Sequence, residues 1–77
     1  MPTAAQIEAY IARTFDGTRA QVSHHSRTTA SAQVFLVDGS RIADVDLDAR
    51  EGAVVTPLKV IGERIKKHLA DNPQIRL

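Results

Sequence analysis

Within the stretch Ser23-His24-His25-Ser26-Arg27-Thr28-Thr29, two imidazoles, a guanidinium and four hydroxyls stand together. Residues of these types could ligate a metal, pair a nucleophile with its base, or hold a phosphate. Each chemistry needs a geometry. Neighbours on an extended strand point to opposite faces, so His24 and His25 cannot share one ion there. His68, on the flank of a later helix, could approach His24, but two imidazoles without a carboxylate make a poor zinc set. Ser23, His25 and Asp46 could be drawn as a hydrolytic triad. Nothing in the sequence supplies the strained nucleophile turn or the oxyanion donors that such a triad needs. The stretch reads instead as a polar strand end and turn, with Arg27, Thr28 and Thr29 exposed. No catalytic, cofactor or metal site is expected.

A second stretch, Asp44-Val45-Asp46-Leu47-Asp48-Ala49-Arg50-Glu51-Gly52, places carboxylates where a calcium loop has its first ligands. The loop fails at its two most demanding positions: Ala49 stands where the tight turn wants glycine, and Val55 where the bidentate glutamate belongs. A strand explains the pattern fully. Val45 and Leu47 face inward, and Asp44, Asp46 and Asp48 face outward, ~6.5–7 Å apart. Such a strand is either a solvated one whose charges discourage edge-to-edge aggregation, or an acidic ridge that meets a basic partner surface.

Charge is uneven along the chain. The net formal charge of the 77 residues is +1. Residues 42–53 carry four acids and one base, and residues 54–77 five bases and two acids. The second group includes Lys59, Lys66 and Lys67, a possible basic patch with Glu63 among them, although such a helix face is usually solvated. There is no cysteine, which excludes disulfides and cysteine-held metals. No apolar run approaches the ~20 residues of a membrane span, and the N-terminus lacks the basic and apolar regions of a signal peptide. A cytoplasmic protein is the expectation.

The elements that must position these residues follow from periodicity. Thr3 and Gln6 form a capping-box pair. Ala4, Ile7, Ile11 and Phe15 then recur at helical spacing, which predicts a helix over about residues 4–15, ended near Gly17. Alternation follows, with Ala20, Val22 and His24 on one strand face. Asp38-Gly39 between two apolar runs signals a hairpin. A two-residue turn pairs Val37 with Ser40, Val34 with Ala43, Ala32 with Val45 and Ala30 with Leu47. Those pairs, with Leu36, form the inner face. The outer face pairs Phe35 with Ile42, Gln33 with Asp44 and Ser31 with Asp46. A three-residue turn would instead bring Phe35 onto the face of Val45 and Leu47. Thr56 is placed to cap a second helix with Pro57 at its first position. Leu58, Ile61, Ile65 and Leu69 form its apolar stripe, and Asn72-Pro73 ends it.

The expected fold is one α+β domain over residues 1–77 in the order α-β-β-β-α, with two helices on one face of a three-stranded antiparallel sheet. In that register Phe35, Val37 and Ile42 make an apolar cluster on the outer face. Monomers seldom leave such a cluster open. Either the register differs and the cluster does not form, or the tail covers it through Ile75 or Leu77, or it is a partner surface, including one for a homodimer.

The order α-β-β-β-α is that of double-stranded-RNA-binding domains. Where those domains have a Gly-Pro-x-His loop and a basic start to the second helix, this chain has His24-His25-Ser26-Arg27-Thr28-Thr29 and Thr56-Pro57-Leu58-Lys59. Only the topology is shared, so nucleic-acid binding is the second reading. In small size, lack of cysteine and catalytic motifs, and patchy charge, the whole chain resembles the anti-CRISPR inhibitors encoded by phages and mobile elements. That resemblance implies a non-enzymatic protein-binding module. It would bind a CRISPR surveillance complex stoichiometrically and block target-DNA engagement. The resemblance transfers no residue; the acidic alternation and the apolar cluster make Asp44, Asp46, Asp48, Phe35, Val37 and Ile42 the expected partner-binding residues.

Overall fold

Residues 2–73 are described by a computed structural model. Helix α1 (Ala4–Thr14) is followed by strands β1 (Thr18–His24), β2 (Thr29–Leu36), β3 (Arg41–Arg50) and β4 (Ala53–Val54), then by helix α2 (Leu58–Asp71). The strands form one antiparallel sheet in the order β1-β2-β3-β4. The architecture is α+β as expected, but the sheet has four strands rather than three.

The N-terminal cap of α1 forms as its sequence predicts. Gln6 N–H donates to Thr3 Oγ1 at 3.1 Å, and Thr3 N–H donates to Gln6 Oε1 at 2.9 Å. Ile7, Ile11 and Phe15 are buried in the sheet-facing core, where they meet Ile61 and Ile65 of α2. α1 lies over β1 and α2 over β3. Between them the central strand β2 offers Ala30, Ala32 and Val34, all buried. Two alanines in the middle of the sheet leave room for the four isoleucines of the helices, none of which retains solvent exposure. The helices approach each other at Gly62, where a Cβ would lie 3.0 Å from the Tyr10 hydroxyl oxygen.

The fourth strand arises from Arg50-Glu51-Gly52-Ala53. Glu51 and Gly52 both have positive φ, 54° and 83°, the pattern of the two-residue turn that matches strand twist. Ala49 pairs with Val54 and Arg50 with Ala53. A glutamate at a left-handed position is unusual, which is why this hairpin is not announced as loudly as Asp38-Gly39.

The main hairpin differs from expectation at its tip. The turn has three residues, Val37, Asp38 and Gly39, because Leu36 rather than Val37 donates its N–H to Ser40 O, at 2.8 Å. Gly39 takes the positive φ, 92°, that closes it. That offset alone would turn every later side chain of β3 to the wrong face. A β-bulge corrects it: Phe35 pairs with Arg41, Val34 with Ala43, and Ile42 is the extra residue. The expected Phe35–Ile42 pair therefore does not form, while the pairs from Val34–Ala43 to Ala30–Leu47 stand. Ile42 turns into the core, 7% exposed.

The start of α2 also shifts. Thr56 does not cap it; Pro57 holds the cap position, and no side chain caps the helix. Thr56 is buried and accepts from the Asp48 N–H at 2.8 Å, so its hydroxyl satisfies the sheet edge instead. The suggestion that Ile75 or Leu77 covers the outer face concerns residues outside those described. Among the described residues no helix is long and apolar enough to cross a membrane.

Candidate functional site

Both helices cover one face of the sheet, and the residues between the core positions define the other. Cross-strand pairing arranges that outer face in rows. Arg19 stands beside Phe35 and Arg41; Gln21 beside Gln33 and Asp44; Ser23 beside Ser31 and Asp46. Thr29 pairs with Asp48 at the far end. Read down β3, the three aspartates form one column. Val45, Leu47 and Ala49, all buried, alternate with them and hold the strand to the core.

The middle of the face is a hydrogen-bonded polar network. Ser23 Oγ donates to Gln33 Oε1 at 2.9 Å, Gln33 Nε2 donates to Ser31 Oγ at 2.6 Å, and His25 Nε2 lies 2.7 Å from Ser31 Oγ. Gln33 Nε2 also reaches Asp44 Oδ1 at 3.3 Å. The Ser31–His25 contact is the closest approach to a nucleophile with a base, but Ser31 is 4% exposed and already engaged by Gln33. It acts as a link that fixes the amide, not as a reactive hydroxyl. Ser23, named in the imagined triad, bonds Gln33 and not His25.

The aspartates differ in company. Asp44 has Arg41 at 3.8 Å, and Asp48 has Arg64 at 3.5 Å, both open to solvent. Such pairs contribute about 1 kcal/mol or less. Asp46 has no salt bridge among the described residues. Arg64 comes from α2 and bends round the edge of β3, also donating to the Asp46 carbonyl at 2.6 Å. Arg64 is not among the site residues expected from the sequence. The available signal was its place between Ile61 and Ile65, on the flank of the apolar stripe.

The structure separates several residues that the sequence left together. Ile42 is in the core; Val37 is at the hairpin tip, 90% exposed; Phe35 is half-buried, with the Arg19 guanidinium 6.0 Å from its ring centre. The apolar outer cluster is thus not assembled. Lys67 lines a groove beside β3 with Arg64 and His68, whereas Lys59 and Lys66 are exposed and do not line it. His68 belongs to that groove, while His24 lines another with Pro2 and Gly52. Among the described residues no three or more His, Cys, Asp or Glu side chains are grouped to hold a metal ion.

At the hairpin tip, Asp38 Oδ1 accepts from the Ser40 N–H at 2.9 Å. That backbone bond, helped by the Ser40 hydroxyl, holds the Asp38 carboxyl below its ordinary pKa.

Comparison of the chain with protein-family models, with curated proteins and with solved structures finds no match.

Proposed function

We propose that the chain is a non-enzymatic protein-binding module whose outer sheet face, led by Asp44, Asp46 and Asp48, engages a basic groove on a partner. The observation that carries the reading is the carboxylate column on β3, set between buried anchors. The core requires Val45, Leu47 and Ala49; it does not require acid at the positions between them. Single exposed ion pairs are weak. Several on one rigid strand act together, steer encounter and reject acidic surfaces.

The partner class comes from the resemblance in size and charge patterning to anti-CRISPR inhibitors. A CRISPR surveillance complex must hold nucleic acid in a groove lined with lysine and arginine. An acidic strand fits that groove and would exclude target DNA stoichiometrically. The test is a competition assay with a purified surveillance complex and labelled target DNA. Added protein should displace the DNA at near-equal stoichiometry, and the protein itself should show no retention on duplex RNA. Strong, salt-sensitive RNA binding without displacement would favour the nucleic-acid reading, with Lys59, Lys66 and Lys67 as its residues.

A further inference from the structure

The fourth strand position of the sheet is filled only at one end, where the two residues of β4 pair with Ala49 and Arg50. Ala49 N–H bonds the Thr28 carbonyl across to β2 at 3.0 Å, so by alternation Asp44, Asp46 and Asp48 direct their backbone groups away from β2. At Asp48 both groups are satisfied: Val55 N–H donates to its carbonyl at 2.9 Å and Thr56 accepts from its N–H. Beyond that point the chain turns into α2. Beside Arg41–Asp46 no strand pairs with this edge among the described residues, and the Asp46 carbonyl is met only by Arg64. An open groove of about 500 Å³ runs between this edge and α2, lined by Val45, Asp46 and Asp48 of β3 and by Arg64, Lys67, His68 and Asp71 of α2.

We propose that this vacant position takes an extended segment of a partner protein, added antiparallel to β3 along the line that β4 begins. The inference rests on the reading of Asp44, Asp46 and Asp48 as the binding column and says how the partner meets it. Charge identifies the occupant. Side chains of an added strand alternate between the faces. Those on the outer face stand opposite Asp44 and Asp46, which calls for lysine or arginine at every second residue. The intervening side chains face Arg64 and Lys67 together with His68 and Asp71, a set of mixed charge that calls for small polar residues. A second copy does not fit. In registers that span the vacant edge, antiparallel pairing of β3 with itself sets an aspartate of one copy against an aspartate of the other, and like charges directly opposite are destabilising. Main-chain bonds then supply affinity and the alternating charges supply register.

The test uses the full chain and a synthetic peptide of alternating lysine and serine, followed by binding titration and amide hydrogen exchange. Exchange at Asp44 and Asp46 should be fast in the free chain and slow by at least about tenfold at peptide saturation, with Ala20 and His24 on the opposite sheet edge unchanged. In an antiparallel pair the residue directly opposite Asp44 also bonds it. Methylating the lysine amides should therefore weaken binding by about fivefold or more, while methylating the serine amides should not. Equal binding by both methylated peptides, or unchanged exchange at saturation, overturns edge addition. If that binding is still lost in the Asp44, Asp46 and Asp48→Asn variant, the acidic column stands and only the edge inference falls. No binding of the peptide at low salt also overturns the edge inference, and the competition assay then decides the function alone. Slow exchange at Asp44 and Asp46 in the free chain overturns it too. Where that slowing depends on concentration, a second copy fills the edge; where it does not, the chain's own residues do.

Discussion

On the helix side of the sheet stand Ala30, Ala32, Val34, Val45 and Leu47; one residue along each strand, on the other side, stand Ser31, Gln33, Asp44 and Asp46. The inner face is dictated by volume: its residues are buried and fill the space under four isoleucines. The outer face is bound by no such demand, and its order is made of hydrogen bonds and charge. The two faces therefore hold different kinds of information. What the inner face specifies is the fold; the acidic and amide side chains of the outer face are not required by it, and the proposed function assigns them to recognition.

The sharpest break in that comparison lies inside the core. Ile65 has no solvent exposure, and Ile65→Asp buries an unpaired carboxylate under the sheet. Circular dichroism should show loss of the fold, since several kcal/mol exceeds much of what a domain this small holds in reserve. A folded Ile65→Asp variant contradicts the assignment of the helix face.

A finer comparison separates Ile42 from Phe35. Both were expected on the outer face, and the bulge sends only Ile42 inward. Ile42→Ala should cost about 2–4 kcal/mol in denaturant unfolding, whereas Phe35→Ala should cost roughly 1–2 kcal/mol, mostly lost packing against Arg19. Equal costs contradict the bulge.

The smallest expected effect is at the hairpin tip. The folded-state pKa of Asp38 is lowered, so its contribution to stability is present above its unfolded value of about 3.9 and is lost as pH falls through the lower folded value. A nuclear magnetic resonance titration of its side-chain carboxyl should give a midpoint below that of an unfolded aspartate. In Ser40→Pro, which lacks both the N–H and the hydroxyl, the midpoint should return toward it. A wild-type midpoint at or above about 3.9 removes this contact from the account.

Much of this was legible in the sequence where one physical cause acted alone. Thr3 and Gln6 announced the first cap, and the alternation from Val34 to Leu47 announced which residues share a face. Legibility ended where two causes competed. At Val37-Asp38-Gly39 turn chemistry favoured three residues and core burial favoured the register of two, and a bulge at Ile42 served both. Glu51-Gly52 hid a hairpin because glutamate seldom takes a left-handed backbone. Thr56 had the type of a helix cap but found a buried strand amide to satisfy. Of the site, the aspartate column was visible as alternation, while Arg64 and the Ser23–Gln33–Ser31–His25 network depended on which strands and helices met.

The central claim is that the acidic column of β3 is a binding surface and not a device of folding. The most direct measurement is a binding titration of wild type and of the Asp44→Asn, Asp46→Asn, Asp48→Asn triple variant against a purified surveillance complex, at low and high salt. The triple variant should unfold within about 1 kcal/mol of wild type, because these side chains make only two exposed ion pairs and one long, exposed hydrogen bond from Gln33. Wild-type affinity should fall with salt, and the variant should bind more weakly at low salt, mainly through a slower on-rate, with little salt dependence left. Equal affinities of the two proteins at both salts would contradict the claim.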